Sequence, residues 1–124
     1  MCDYFPRKTI ESLVMKLQVE SSVVVKSDVV DPDLGIDIAG WQGRVLEIDY
    51  GGTALIRWDS ITLRKMSMEL LIQCENEDLD WELMTLDMID LERATVRDSE
   101  ADALRTANQL KAEMIGDPRL NAEE

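Results

Sequence analysis

Apolar side chains at Ile10, Leu13, Val14 and Leu17 recur at helical spacing after Pro6, and Thr9 can cap the helix they predict. The β-branched run Val23-Val24-Val25-Lys26 then reads as a strand. In RVLEIDY, residues 44–50, Leu46, Ile48 and Tyr50 alternate with Val45, Glu47 and Asp49. TALIRW, residues 53–58, sets Ala54, Ile56 and Trp58 on one face. Gly51-Gly52 between them supplies the backbone freedom of a tight hairpin. From Ser60 the period lengthens. Leu63, Met66, Leu70 and Cys74 predict a helix over 62–75, capped by the hydroxyl of Ser60 or Thr62. Residues 81–86 return to strand chemistry, 87–90 read as a turn and 91–94 as a closing strand. A last helix starts at Ser99, with carboxylates in its first turn, carries Ala103, Leu104, Ala107, Leu110, Met114 and Ile115 as an apolar stripe, and stops at Gly116-Asp117-Pro118.

Between the first two strands, SDVVDPDLGIDIAG (27–40) holds Pro32, Gly35, Gly40 and four aspartates, the composition of a long acidic loop. This order predicts a mainly β chain with helices: about five antiparallel strands, an N-terminal helical segment in 1–22, a small barrel over 23–94 with a helix inserted at 62–75, and a C-terminal helix with a frayed tail over 95–124.

Composition narrows what such a chain does. With 124 residues, 45% of them hydrophobic, it has material for one modest core. No apolar run approaches the roughly 20 residues that cross a bilayer, and residues 1–18 lack a basic-then-apolar leader pattern, so the expected location is the cytoplasm, without membrane attachment. Cys2 and Cys74 are too few and too far apart for a disulfide framework or a thiolate zinc site. There is no histidine, which removes imidazole bases, the usual nucleophilic triads and His-ligated metals. The net charge of −13 is concentrated: residues 23–92 carry sixteen acidic and five basic side chains. Such a field repels phosphate backbones and favours a basic partner, so nucleic acid is not expected.

The string Gly40-Trp41-Gln42-Gly43-Arg44-Val45-Leu46-Glu47-Ile48 resembles the G-x-x-G-x-V-x-x-I core of KOW-type modules, and the order of elements over 22–94 resembles SH3-like small barrels. The resemblance implies a barrel whose loops bind RNA or protein. The missing basic face departs from the RNA-binding members and leaves protein. The longer pattern GWQGRVLEI, IRWDSITL and DLDWELMTLDMIDLE also resembles bacterial proteins with a GGW-x-G-x-V and W-x-x-x-T-L layout.

The expectation is therefore a non-enzymatic, cofactor-free acidic module that binds a protein or peptide through Trp41, a loop tryptophan between glycines, together with Asp31, Asp33 and Asp37. Trp58, by contrast, reads as core. The alternative is divalent-cation binding, calcium above all, with the same three aspartates as candidate ligands. Against it, Gly35 stands where an EF-hand has its third ligand and Gln42 where it has its bidentate glutamate. Glu75, Glu77, Asp78 and Asp80 read as a solvated helix end, with a secondary place beside the 31–37 loop in the cation alternative. A carboxylate-based enzyme is the third possibility; it needs a deep pocket with paired acids. Cys74 shares the apolar stripe with Leu70 and reads as a structural thiol. The C-terminal stripe can dock on its own domain or pair with a second copy in a homodimer.

Overall fold

β-Branched and aromatic residues alternate into the middle of the chain and build one sheet there. The computed structural model describes residues 18–31 and 33–120. The helix expected around Ile10 to Leu17 lies outside the described residues. Strands β1 (Ser22–Val25), β2 (Gln42–Ile48), β3 (Thr53–Trp58), β4 (Leu83–Asp87) and β5 (Leu91–Arg93) form a five-stranded antiparallel sheet in the order β4-β3-β2-β1-β5. A 3-10 turn, Met88–Asp90, links the last two. Among the described residues three helices accompany the sheet: α1 (Ser60–Lys65), α2 (Met68–Asn76) and α3 (Glu100–Ile115). It is a mixed α/β architecture in which the sheet dominates. No helix among the described residues is long and apolar enough to cross a membrane.

The helix expected over 62–75 is two helices. Met66 is extended at ψ 133°, and the Ser67 hydroxyl accepts a hydrogen bond from the Leu70 N–H at 3.1 Å, starting a new helix. The apolar period runs across the break, so periodicity alone does not reveal it. The cap of α1 also differs from expectation. Asp59 caps it, accepting from the Thr62 N–H at 2.8 Å, while Ser60 and Thr62 are buried inside the helix.

A second correction concerns β2. The pairing register slips by one residue between Val45 and Glu47, a β-bulge. The strand therefore changes face partway along. Val45 opposite Ile56 is buried, Ile48 opposite Ala54 packs against the core, and Leu46 falls at the slip between them, while Tyr50 lies beyond the end of β2, in the turn, and is fully exposed. In the hairpin turn only Gly52 takes a positive φ, +94°.

The core gathers the inner face of the sheet, Val23, Val45, Ile56 and Trp58, under Leu63 of α1 and Leu71 and Cys74 of α2. Trp58 is wholly buried, as its position opposite Gly43 demands. Helix α3 begins with a reciprocal capping box between Ser99 and Asp102 and packs mainly on α1 and also on α2, through Ala103, Thr106, Ala107 and Met114. Its stripe thus docks on its own chain, and Leu104 and Ile115, expected within it, are exposed.

Candidate functional site: an acidic groove beside an outer strand

The acidic loop folds back on itself as a short arm. Val30 and Asp37 form a β-bridge, the Asp31 N–H donates to the Ile36 carbonyl at 2.9 Å, and the Ile38 N–H donates to the Val29 carbonyl at 3.1 Å. Gly35 supplies the reversal at φ +68°. Ile38 is fully buried, and Val29, Leu34 and Ile36 pack against the core, which ties the arm to the domain.

Each predicted aspartate has a distinct place on this arm. Asp31 is buried, 4% exposed, and its Oδ2 accepts from the Leu34 N–H at 2.7 Å, closing the turn. Asp37 is exposed and accepts from the Ala39 N–H at 2.9 Å. Asp33 is exposed at the tip. Trp41 stands at the foot of the arm, half-buried, its ring edge-on to Trp58 with centroids 5.2 Å apart and planes at 87°.

Between the arm and β4 lies a groove of about 240 Å³. The arm contributes Asp31, Asp33 and Leu34, and the connection from α2 to β4 contributes Leu79 and Asp80. Leu83, Met84 and Thr85 of β4 form the remaining wall. Asp80 is oriented by accepting from the N–H groups of Glu82 at 2.9 Å and Leu83 at 3.3 Å. Two acidic stretches some fifty positions apart thus face one another across an apolar floor. Trp41 and Asp37 do not line the groove, so the four residues expected to act together are divided. Leu79 and the β4 residues were the ones missed, and Asp80 was expected only as a cation ligand beside the 31–37 loop. Their only sequence signal was the acidic run before Trp81, which by itself reads as a solvated helix end.

Among the described residues no three carboxylates or thiols converge so as to hold a metal ion. The Asp31 carboxylate, central to the calcium reading, is turned toward its own turn.

Beneath the groove, burial pushes the Cys74 thiol up to about 11, aided by the charges of Glu77, Asp31, Glu75 and Asp80. The folded chain holds this proton to a higher pH than the unfolded chain does. The stability it contributes is full below pH 9.0 and is lost as pH rises toward about 11. Alkylation of Cys74 by iodoacetamide at pH 8, followed by peptide mapping, is expected to run about 100-fold slower in the folded chain than in urea, because the thiolate fraction falls with the two-unit shift. A folded-state rate within a few-fold of the unfolded one would show the thiol to be accessible.

A second polar cluster holds the segment between β5 and α3 against the sheet. Arg97 donates from Nε to Asp59 Oδ2 and from Nη2 to Asp59 Oδ1, both at 2.9 Å, and also reaches Thr62 Oγ1 at 3.1 Å. Thr62 Oγ1 in turn accepts from the Gln42 N–H at 3.0 Å, and Gln42 Nε2 donates to the Thr95 carbonyl at 2.6 Å. Asp98 pairs with Arg44 at 2.8 Å and accepts from the Ser60 N–H at 2.7 Å. Burial alone would push the Asp98 carboxyl up, but the bonds from Ser60 and Arg44 outweigh it and hold it below its usual value. These side chains are all engaged with one another, which makes the cluster a structural latch.

Comparison with models of protein families, with curated proteins and with solved structures finds no match to this chain.

Proposed function

We propose that this chain is a non-enzymatic acidic interaction module, a small SH3-like barrel in the cytoplasm, that binds a protein or peptide partner through the arm of residues 29–38 and the groove beside it. The observation that carries this reading is the groove itself, lined by Leu34, Leu79, Leu83 and Met84 with the exposed acids Asp33 and Asp80 beside them. An apolar floor contributes affinity by burial, and a rim of one sign selects a partner of the other. The placing of β1 between β2 and β5 supports the SH3-like strand order, in a sheet whose outer strands β4 and β5 do not pair with each other. The absence of histidine and the buried, high-pKa thiol of Cys74 support a binding role over catalysis. Trp41, partly exposed at the foot of the arm and set edge-on to Trp58, is the aromatic contact for the partner.

Retention of lysate proteins on the immobilised chain tests this. Wild type at low salt is expected to retain a set of proteins that weakens at moderate salt and is depleted for both Trp41→Ala and Asp33→Lys. The same proteins retained by all three chains would remove the proposed site.

A further inference from the structure

Strand β4 is an outer strand, and its register with β3 determines which of its backbone groups are engaged. The Trp58 N–H donates to the Glu82 carbonyl at 3.1 Å and the Met88 N–H to the Gly52 carbonyl at 2.8 Å. In an antiparallel ladder, bonded positions recur every second residue. Glu82, Met84, Leu86 and Met88 therefore face β3, and Leu83, Thr85 and Asp87 face away. The Leu83 N–H is taken by Asp80 Oδ1. The Leu83 carbonyl, both backbone groups of Thr85 and the Asp87 N–H point out of the sheet, with no partner among the described residues.

Two hollows adjoin this edge and meet at Thr85. One is the acidic groove. The other, more open and about 470 Å³, is formed by Ile48, Tyr50 and Leu55 with Glu47 and Asp49 at its margin, and Thr85 lines both. Five carboxylates and no lysine or arginine line the two hollows together.

Resting on the interaction-module reading, we propose that β4 takes up an extended basic peptide segment as a sixth strand, bonded to Leu83, Thr85 and Asp87. Side chains alternate across an extended chain, so the lysines and arginines of the segment lie on the face that Leu83, Thr85 and Leu55 share, and the residues between them on the face of Met84. Lysine or arginine stems lie on Leu83 and Leu55 while their cationic heads meet Asp33, Asp80 or Glu47. A second copy of this chain is the poorer occupant, because pairing two β4 edges would bring two chains of net charge −13 together at their acidic hollows.

The probe is a fluorescent peptide, acetyl-Lys-Val-Arg-Thr-Lys-Val-Arg-Thr-amide, titrated against the whole chain by anisotropy. A second peptide of the same sequence is N-methylated at alternate residues, which keeps its charge and removes the ladder donors. The unmodified peptide is expected to bind at least about tenfold more tightly than the methylated one, as loss of two ladder bonds implies. Thr85→Pro, which removes an outward N–H and leaves the β3 ladder intact, is expected to weaken the unmodified peptide similarly. Amide shifts in the wild-type chain give the same answer without a variant: they are expected to move at 83–87. Equal binding of the two peptides, or no binding of either, would overturn strand addition. Shifts confined to Trp41 and 29–38 would also overturn it and leave the interaction-module reading standing. Failure of that reading is seen separately, in the lysate proteins retained by Trp41→Ala and Asp33→Lys.

Discussion

Gly43→Ala is expected to destabilise the fold by about 3 kcal/mol, at the upper end of what overpacking usually costs. A Cβ at this position would lie 2.3 Å from the Arg57 carbonyl oxygen, 2.8 Å from Ile56 Cγ2 and 2.9 Å from the Arg57 carbonyl carbon. Two of these atoms are backbone of the neighbouring strand, and a flexible side chain cannot give way in their place. Moving β3 aside would disturb Trp58, paired opposite Gly43 and wholly buried. Gly51→Ala is the matched control. Its Cβ would meet nothing closer than Asp49 Oδ2 at 3.6 Å, so its effect is expected within about 0.5 kcal/mol of zero. Urea denaturation of the two variants checks both, and equal midpoints would show that the β2–β3 approach tolerates a side chain.

Asp59→Ala is expected to cost about 3 kcal/mol. The carboxylate is 3% exposed, caps α1 through the Thr62 N–H and receives two bonds from Arg97. Loss of a cap alone costs typically ~1 kcal/mol, and hydrogen bonds to a charged group add roughly 1.5–3 kcal/mol. Arg97→Ala leaves that buried carboxylate without its cation and is expected to cost about 2 kcal/mol, less than for a fully buried pair because Arg97 remains 29% exposed. The two losses are not independent. The double variant is expected to fall short of their sum by at least about 1 kcal/mol in a urea-denaturation cycle, and strict additivity would show that the pair does not hold the 94–98 segment.

Elements with a local physical cause were legible in the sequence. The alternation in TALIRW placed Ala54, Ile56 and Trp58 on the inner face, and all three are buried there. Ser99 and its following acids announced the start of α3, and Cys74 lies on the buried side of α2 as its spacing required. The misreadings share another cause. The bulge after Val45 is a property of two paired strands, since one extra residue is defined only against a partner, and RVLEIDY read alone continues its alternation through Tyr50. The break at Met66 was hidden because the apolar residues on either side keep the same spacing while Ser67 restarts the hydrogen bonding.

The candidate site was legible only in fragments. Asp31 and Asp33 stood out as loop acids, but their separation from Trp41 and Asp37, and their meeting with Asp80 across an apolar floor, follow from the path of the chain around the sheet. The Asp59–Arg97 latch had no sequence signal at all, because its partners are 38 positions apart and each residue is ordinary where it stands.

By itself the sequence determined the negative field, the lack of imidazole chemistry, the strands and most helix ends, since charge is a sum over residues and local periodicity decides which face of an element meets water. Only the tertiary structure decided which acids share a groove, which edge of the sheet is left open and which polar groups close the latch. Those depend on distances between residues remote in the chain, and such distances exist only once the core has drawn the elements together.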